Sequence, residues 1–478
     1  MGQLTSHSYD RSGLEQAMVH IGVGNFHRSH QATYIDDLLG LGATDWAYWG
    51  VGLLPRDQLM RDALAAQDFR YALLRYSDDA APTAHVVSSI LGMDLAQQDP
   101  SAVMARLTSP RTRLVSLTVT EGGYNLSDTT GEFDSDAADI KADLDPAAPP
   151  KTVFRWLAES LSRRRAAGTA PYTVVSCDNL PGNGQAARRS VTAFADLLEP
   201  GLGQWIGANV AFPNSMVDRI TPATSDDDRR LMAEEFGWAD RWPVPAEPFR
   251  QWVLEDSFPS GRPALERAGV QLTSDVTPYE DIKLRLLNGA HQAIGHFGLL
   301  LGDRYVSQTA ARPEMIDLLL AYFAEAQLTL TEVPGIDLPD YCDTLLKRFS
   351  NSHIRDTNSR LAEDASARIP KFVLPVVFDR LATGGAAPVA SGIVAAWAHR
   401  LELGPEVGGP AYDRLADRLS NLARCDDLAL LSEAAIFGDL AAQPGFTQPY
   451  LNTLRSLRSV GADRTVRALN HPASLGGA

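Results

Sequence analysis

Cysteine is scarce in this chain of 478 residues, which contains three of them. Cys177, Cys342 and Cys425 are odd in number and far apart, which argues against a disulfide framework. Neither they nor the ten histidines show the spacing of a zinc site, so we expect no ligand cluster and no metal cofactor. Scarce, unpaired cysteine is typical of a reducing compartment, and the expected location is the cytoplasm.

Membrane-length apolar runs and an excess of positive charge are also missing. Lys, Arg, His or Gly interrupts every long apolar stretch, and we expect no apolar leader in residues 1–13. The chain has 43 Lys and Arg against 59 Asp and Glu, a formal net charge of -16. This balance disfavours nucleic acids and anionic membrane surfaces as partners, because both attract basic patches. A small-molecule substrate is the remaining expectation.

What the sequence does contain is a strand-and-helix alternation in its N-terminal half. Runs of β-branched and aromatic residues predict strands at 17–21, 46–54, 71–76, 85–91, 114–120 and 172–177. After about residue 275 the pattern changes to helical stretches at 280–301, 312–329, 340–348, 355–364, 384–402, 410–422 and 427–439. We therefore predict an α/β Rossmann-type dinucleotide-binding domain at residues 1–275 and a mainly α-helical substrate and catalytic domain at 276–478.

A glycine turn follows the first predicted strand. Gly22-Val-Gly24 can form a tight turn in which backbone N–H groups approach a pyrophosphate at the start of a helix. The third glycine of the dinucleotide fingerprint is replaced by His27, so a plain strand-to-helix turn is an equally good interpretation. Phe26 belongs to the same predicted coenzyme site. Arg28 either supplies charge to the pyrophosphate or is a solvated helix residue.

The choice of coenzyme depends on the residues after the second predicted strand. A carboxylate there normally holds the ribose diol of NAD and excludes the 2′-phosphate of NADP. Asp57 is the candidate, although it comes later than the usual spacing. Arg56 beside it is suited to bind a phosphate instead. The sequence therefore favours NAD and leaves NADP open.

Two turns at predicted strand ends hold further polar side chains. Residues 118–124 contain Glu121, and residues 176–184 contain Asn179. Ligands bind at the carboxyl ends of the strands in a parallel sheet, so we place Glu121 in the coenzyme site. Asn179 is suited to donate its amide to an oxygen that becomes negative as an alcohol loses its proton. A helix cap is the alternative role for Asn179, because a helix is expected after Pro181.

The most informative segment is Lys283-Leu-Arg-Leu-Leu-Asn288-Gly-Ala-His291. At about 100° per residue, Asn288 lies roughly 140° and His291 roughly 80° around an α-helix from Lys283, so the three can converge on one small molecule. The surrounding leucines predict burial, which lowers the pKa of a lysine and lets it act as a general base near neutral pH. In the alternative interpretation, Lys283 extends to solvent from a core helix while Asn288 and His291 bind backbone groups.

Five motifs, in this order along the chain, resemble the polyol-specific long-chain dehydrogenases, the mannitol 2-dehydrogenase-like family. They are Gly22-Val-Gly-Asn-Phe-His-Arg-Ser-His30, Ser116-Leu-Thr-Val-Thr-Glu-Gly-Gly-Tyr124, Ser176-Cys-Asp-Asn-Leu-Pro-Gly-Asn-Gly184, Val217-Asp-Arg-Ile-Thr-Pro222 and Lys283-x4-Asn288-x2-His291. The resemblance implies a metal-independent hydride transfer between NAD(P) and a secondary alcohol of an acyclic polyol such as mannitol, sorbitol or arabinitol. It also implies a monomer or a small homo-oligomer.

The resemblance further implies the roles of individual residues. Lys283 would be the general base, and Asn179 and Asn288 would bind the oxyanion. His291 would orient the substrate oxygen, and Glu280 would pass the proton to solvent.

Substrate contacts would come from Asp218, Arg360 and Arg368. Two departures from the family pattern occur here, because Ala365 stands where a Gly is usual and Arg368 where a Lys is usual. They leave the preferred polyol or ketose undetermined.

Other functions fit parts of the sequence. Tyr279-x3-Lys283 matches the acid/base pair of short-chain dehydrogenases. A fructuronate-type hexuronate reductase or a hydroxyacid dehydrogenase of the same architecture would use a similar lysine. The missing ligand cluster disfavours a zinc-dependent polyol dehydrogenase, and the intact Lys, Asn and His set disfavours a non-catalytic dinucleotide sensor.

Overall fold

The structure is a computed structural model that describes residues 2–78, 80–127, 131–145, 147–404, 413 and 415–470. It forms two compact units, residues 1–277 and residues 278–478, where the sequence predicted a division after residue 275. Twelve strands lie in the described part of the first unit: β1 (Leu4–Ser6), β2 (Gln16–Ile21), β3 (Ala47–Gly52), β4 (Tyr71–Ser77), β5 (Ala80–Val87), β6 (Ile90–Leu95), β7 (Leu114–Leu117), β8 (Thr173–Ser176), β9 (Ser215–Asp218), β10 (Val244–Ala246), β11 (Gln251–Glu255) and β12 (Gln271–Thr273).

Helices alternate with these strands and then fill the second unit. Those of the first unit are α1 (Asn25–Ser29), α2 (Gln31–Gly40), α3 (Asp57–Ala65), α4 (Pro100–Thr108), α5 (Ala138–Asp143), α6 (Val153–Ala166), α7 (Asn183–Leu198), α8 (Leu202–Asn209) and α9 (Asp226–Glu235). From the boundary onwards come α10 (Thr277–Ile282), α11 (Gly289–Leu300), α12 (Val306–Ala310), α13 (Pro313–Gln327), α14 (Leu338–Ser350), α15 (Asn358–Leu361), α16 (Ala365–Phe372), α17 (Leu374–Ala382), α18 (Pro388–Leu403), α19 (Ala416–Cys425), α20 (Ala434–Phe437) and α21 (Pro444–Leu469). Short 3₁₀ turns occupy Arg11–Gly13, Glu121–Tyr124, Leu265–Ala268, Ala429–Ser432 and Leu440–Ala442.

Five parallel strands form the central sheet of the first unit, in the order β6-β3-β2-β7-β8. β2 lies in the middle, where Val19 is paired with Trp49 of β3 and with Val115 of β7. Neighbouring residues of β2 belong to two separate hydrophobic cores. Met18 packs in the core that includes α2, and Val19 packs in the core that includes α4, α6 and α7. A parallel sheet with helices on both faces is doubly wound. The predicted Rossmann-type α/β domain is confirmed.

Two smaller sheets complete the first unit, with strand orders β1-β5-β4-β10 and β12-β11-β9. The single strand predicted at residues 85–91 is wrong, because it spans parts of β5 and β6, which belong to different sheets. Between them, the Ser88 N–H donates to Asp36 of α2, and the Ser89 hydroxyl donates to the Ala32 carbonyl. These hydrogen bonds to α2 replace the strand ladder at the two serines.

One apolar core holds the second unit together, with Phe297 of α11, Trp397 of α18 and Tyr450 of α21 among its members. The mainly helical prediction is confirmed across the residues described there. The longest helix, α21, was not predicted, because Pro449 lies inside it and Gly461 bends it with a φ of +82°. Prolines and glycines in a sequence indicate helix ends. No helix in the described ranges is both long and apolar enough to span a membrane.

The helix that carries Lys283 contains a π-helical segment. α10, residues Lys283–Asn288 and α11 follow one another without a break, and the middle segment is π-helical. The Gly289 N–H donates to the Leu284 carbonyl, five residues back. The α-helical spacing expected for Lys283 and Asn288 is therefore wrong. In a π-turn, residues i and i+5 lie about one turn apart and so on one side of the helix.

Tyr322 of α13 supports this π-turn. Its hydroxyl donates to the Arg285 carbonyl at 2.8 Å. A Cβ added at Gly289 would lie 1.9 Å from the same hydroxyl oxygen. Glycine at this position therefore lets a fully buried tyrosine reach a carbonyl of the π-turn.

Gly289→Ala is expected to lower the free energy of unfolding, although alanine is the better helix former. Overpacking against Tyr322 costs about 1–3 kcal/mol, whereas the gain in helix propensity is about 1 kcal/mol. Tyr322→Phe removes the oxygen that collides, so the double variant should lose less than the sum of the two single variants. Urea unfolding of all four proteins measures this coupling. A fully additive double variant would show that the tyrosine hydroxyl is not the obstacle.

Candidate functional site

A glycine turn joins the carboxyl ends of β2 and β7. Gly22 has a φ of +96°, and a Cβ added there would lie 2.2 Å from the Thr118 carbonyl oxygen. The Thr118 hydroxyl donates to the Gly22 carbonyl at 2.7 Å. Among the described residues, a Cβ added at Gly24 would meet only the Gly22 carbonyl, at 3.9 Å. This open space at the start of α1 suits the close backbone approach that a pyrophosphate requires. Phe26 lies in the same turn, half-buried, with its ring stacked on His30.

Beneath the turn lies a buried histidine that the sequence analysis missed. His20 of β2 contacts the Ser116 hydroxyl through Nδ1 at 2.8 Å and the Thr118 hydroxyl through Nε2 at 2.9 Å. Its ring is stacked on His27, with 3.4 Å between the ring centroids. Burial lowers the pKa of His20 to about 3, so the ring is neutral. A histidine within an otherwise apolar strand was the available signal.

The position of Arg28 agrees neither with the predicted contact to a pyrophosphate nor with a solvated helix residue. It is fully buried, and its guanidinium donates to the Trp242 carbonyl at 2.6 Å and to Asn25 Oδ1 at 2.7 Å. The guanidinium also lies over the Tyr71 ring. Burial lowers the pKa of Arg28 to about 10, which leaves it charged at neutral pH. The hydrogen bonds of its guanidinium hold α1 against the loop before β10.

Asp57 lies at the carboxyl end of β3, at the first position of α3. A Cβ added at Gly52, the last residue of β3, would be 2.7 Å from the Asp57 Cβ. Asp57 Oδ2 accepts a hydrogen bond from the Leu54 N–H at 2.9 Å, and the side chain is half-buried. This is the strand end at which dinucleotide-binding sheets recognise a ribose. Glu121 begins the 3₁₀ turn after β7, and its side chain lies outside the described residues.

The turn that contains Asn179 is held by its neighbour, Asp178, which the sequence analysis also missed. Asp178 accepts hydrogen bonds from the N–H groups of Val119 and Thr120 at 3.1 and 2.8 Å, and from the Tyr124 hydroxyl at 2.7 Å. Burial raises the pKa of Asp178 above its usual value. The contacts tie the loop after β8 to the loop after β7. Asn179 is exposed in the first of these loops.

Asp218 ends β9 and is buried, opposite Gln251 of β11. The next residue, Arg219, is also buried, and it donates to the Ser29 carbonyl at 2.6 Å and twice to the Glu247 carbonyl. Arg219 thereby fixes the backbone that carries Asp218 against α1.

A single helix of the second unit holds four polar residues that the sequence predicted for the site. Glu280, Lys283 and Asn288 are buried, with exposures of 8%, 8% and 7%. His291, one α-helical turn beyond Asn288, is half-buried, and its ring lies 4.9 Å from that of Phe349. Because of the π-turn, the amine of Lys283 and the amide of Asn288 belong to one side of the helix. A buried amine beside an amide donor is suited to take a proton from a hydroxyl and to hold the oxygen that remains.

Tyr279 has a different environment from the acid of a short-chain dehydrogenase. It is buried, and its hydroxyl donates to the Pro334 carbonyl at 3.3 Å. Burial raises the pKa of Tyr279, which favours the protonated form. Tyr279 therefore lacks the environment that the catalytic acid of a short-chain dehydrogenase requires, although Tyr279-x3-Lys283 fits the sequence pattern of that class.

The two arginines predicted to contact substrate lie on either side of the start of α16. Arg360 forms a two-pronged ion pair with Asp356, through Nε at 2.5 Å and through a second guanidinium nitrogen. This hydrogen bonding raises the pKa of Arg360. Arg368 is half-buried and donates to the carbonyls of Arg360 and Leu361 at 3.0 and 3.3 Å. The charge of Arg360 is thus already neutralised by a carboxylate.

The expectation that the histidines form no ligand cluster does not hold for His7 and His85. Each has one ring nitrogen near a carboxylate oxygen of Asp36, and the three atoms lie within 4.8 Å of one another. Spacing along the chain could not reveal this group, because its members come from three separate elements of the first unit.

Comparison with known proteins places both units in one family. A family model for the mannitol dehydrogenase Rossmann domain matches residues 16–267, and one for the mannitol dehydrogenase C-terminal domain matches residues 275–458. The chain is 43% identical to mannitol 2-dehydrogenase of Cereibacter sphaeroides over 476 residues, which are 97% of this chain and 98% of the relative. It is 42% identical to mannitol 2-dehydrogenase of Phaeosphaeria nodorum over 472 residues, 97% of this chain and 83% of the relative.

Solved structures agree with this. Pseudomonas fluorescens mannitol 2-dehydrogenase, in a ternary complex with NAD and D-mannitol, is 42% identical, with a TM-score of 0.87 over 98% of this chain and 96% of that one. A D-sorbitol dehydrogenase in substrate-free form is 35% identical, with a TM-score of 0.88 over 97% of each chain. The matches span both units, and the chain therefore belongs to the mannitol dehydrogenase family of polyol-specific long-chain dehydrogenases.

Proposed function

We propose that this protein is an NAD-dependent dehydrogenase that oxidises a secondary alcohol of an acyclic polyol to the ketose and catalyses the reverse reduction. The observation that carries the proposal is the buried Lys283, which a π-turn separates from the buried Asn288 by about one helical turn. Its relatives support the substrate class, since three of those compared are named mannitol 2-dehydrogenase and one of the three, from Pseudomonas fluorescens, forms a ternary complex with NAD and D-mannitol.

Lys283 is the general base in this proposal. Burial in general disfavours an ammonium ion, and the proposed base is the uncharged amine, which takes the hydroxyl proton of the polyol. Asn288 and Asn179 donate their amides to the oxygen as it becomes negative, which lowers the energy of the alkoxide. His291 orients that oxygen, and Glu280, three residues before Lys283, passes the proton on to solvent.

The first unit holds the coenzyme. The turn at Gly22 and Gly24 leaves room for the pyrophosphate at the start of α1, and Phe26 borders the same turn. Asp57 binds the adenosine ribose, and Glu121 completes the site after β7. When bound, NAD accepts the hydride from the carbinol carbon. Catalysis needs no metal, because a lysine base and amide donors already supply the proton transfer and the oxyanion contacts.

Asp218, Arg360 and Arg368 bind the remaining hydroxyls of the substrate. A hexuronate would require an unpaired cation for its carboxylate, and the charge of Arg360 is already paired with Asp356. At Arg360 this favours a hydroxyl group of a neutral polyol over the carboxylate of a hexuronate or a hydroxyacid, whereas the hydrogen bonds of Arg368 are with backbone carbonyls.

We expect mannitol, sorbitol or arabinitol to be oxidised with NAD at a higher kcat/KM than any hexuronate or hydroxyacid is turned over. Nicotinamide absorbance measures this for a panel of pentitols, hexitols, the corresponding ketoses and fructuronate, with NAD(H) and NADP(H). Fructuronate as the best substrate would contradict the assignment of a neutral polyol while leaving the family intact.

Lys283→Ala should lower kcat for polyol oxidation by about 10²–10⁴-fold, the usual contribution of a general base. NADH binding, followed by its fluorescence, should be unchanged. In the wild type the oxidation rate should rise with pH and level off as the amine becomes uncharged, and the variant should lack this dependence. Lys371→Ala, at an exposed lysine of the same unit, is the control. If Tyr279→Phe abolished turnover while Lys283→Ala retained it, the base would be misassigned.

Asp57→Asn should shift the coenzyme preference towards NADP. Asparagine keeps an acceptor for the Leu54 N–H but removes the charge that holds the ribose diol and repels a 2′-phosphate. Loss of a charged hydrogen bond, about 1.5–3 kcal/mol, corresponds to roughly 10–100-fold in kcat/KM for NAD. Asp62→Asn, at an exposed position of α3, is the matched control. An unchanged ratio of NAD to NADP activity would remove Asp57 from the coenzyme site.

A further inference from the structure

We propose that His7, Asp36 and His85 form a binding site for a divalent transition-metal ion, with zinc as the best fit, that is separate from the proposed catalytic chemistry. One ligand atom from each residue lies within 4.8 Å of the other two. Zinc binds nitrogen and carboxylate oxygen at about 2.0–2.2 Å in tetrahedral geometry, so two ligands of one ion stand roughly 3.4 Å apart. Binding of an ion would therefore require the three atoms to approach one another by about 1.4 Å at most.

The three residues come from elements that the fold holds side by side. His7 follows β1, His85 lies in β5, and Asp36 lies in α2. β1 and β5 are paired in parallel, with Thr5 opposite His85. The site is therefore built on a sheet edge and a helix of ten residues, which fixes two of its three ligands.

His85 has a polar partner at each ring nitrogen. Nδ1 lies 3.0 Å from the Thr5 hydroxyl, which is itself 3.1 Å from the Ala84 carbonyl. Nε2 lies 3.0 Å from Asp36 Oδ2. An outer hydrogen bond to Nδ1 is the usual partner of a metal-bound Nε2. The tautomer with its proton on Nδ1 would therefore present the lone pair of Nε2 to an ion that Asp36 also binds.

Asp36 is oriented for the same purpose. Its Oδ1 accepts hydrogen bonds from the Tyr9 hydroxyl at 2.5 Å and from the Ser88 N–H at 2.7 Å. Its Oδ2 is directed at His85 instead. The carboxylate is almost fully buried, with 1% exposure, so it cannot rotate away into water. One oxygen is thus fixed by protein donors and the other is available to an ion.

His7 closes the site from the solvent side. A Cβ added at Gly40 would lie 2.6 Å from His7 Nδ1, so that edge of the ring rests on the end of α2. Nε2 faces the other way and lies 2.8 Å from Asp37 Oδ1, while the other oxygen of Asp37 is paired with Arg250. The two imidazole rings meet edge to face at 4.8 Å. The candidate ligands are two imidazoles and one carboxylate, with a second carboxylate beside them. This set suits zinc, whereas Ca²⁺ and Mg²⁺ prefer ligands that are all oxygen.

Titration of the full-length, chelator-treated protein with ZnCl₂, by calorimetry, tests the proposal. We expect one equivalent to bind and the midpoint of thermal unfolding to rise with ZnCl₂, because the ion binds only the folded chain. His7→Ala and His85→Gln should each weaken binding by about tenfold or more, and the double variant should lose that equivalent. His353→Gln, at an exposed histidine of the second unit, should bind zinc like the wild type. Circular dichroism and polyol turnover establish that each variant is folded.

Three outcomes would overturn the site. One is no zinc binding by the wild type at millimolar ZnCl₂, which would leave His85 and Asp36 as a hydrogen-bonded pair. Another is equal binding by the wild type and the double variant, which would place the ion elsewhere. The third is an absorption spectrum of the Co²⁺-loaded wild type that lacks the visible bands of a low-coordinate site and does not differ from that of the double variant. Polyol turnover after chelation should be unchanged, and a loss of turnover would count against the metal-free mechanism proposed above, not against binding here.

Discussion

The π-turn at Lys283–Asn288 is the constraint on which the proposed chemistry depends. A base and an oxyanion donor must act on the same hydroxyl group, so their side chains have to leave the helix in one direction. Five residues of α-helix would separate them by roughly 140°, whereas five residues of π-helix return to about the same side. Such a turn is rare and loses the regular α-helical hydrogen bonds. The Tyr322 hydroxyl compensates by donating to the Arg285 carbonyl, which requires glycine at 289.

The first unit fixes its loops by the same means, with side chains that bind the backbone beside the proposed ligand contacts. Thr118 locks the glycine turn, and Asp178 holds the N–H groups of Val119 and Thr120. Thr120 has a φ of +71°, a strained conformation for a β-branched residue. Strain of this kind persists only where surrounding contacts impose it, and Asp178 supplies them. The contacts that hold the loop after β7 therefore come from the protein itself.

Local sequence pattern was sufficient to predict the architecture. Alternation of strands and helices predicted the Rossmann-type half, and the loss of strand signals after residue 275 predicted the helical half. Features that depend on contacts distant in sequence were not predictable. The break at Ser88 and Ser89 depends on hydrogen bonds to α2, and the π-turn depends on a tyrosine 37 residues after the carbonyl it binds. The assigned roles of Lys283, Asn179 and the other site residues stay predictions.

Burial separates the basic residues of the motifs into two kinds. Arg28 and Arg219 lie in family motifs, yet both donate to backbone carbonyls in the interior. Burial lowers the pKa of each to about 10, so both remain cations at neutral pH and keep their hydrogen bonds to the backbone. A buried lysine starts from a lower pKa, and the same loss of hydration allows it to give up its proton near neutrality. An arginine at position 283 would keep its proton and could not serve as a base. The sequence shows which residues are basic, and burial acts differently on an arginine and on a lysine, so the two are suited to different tasks.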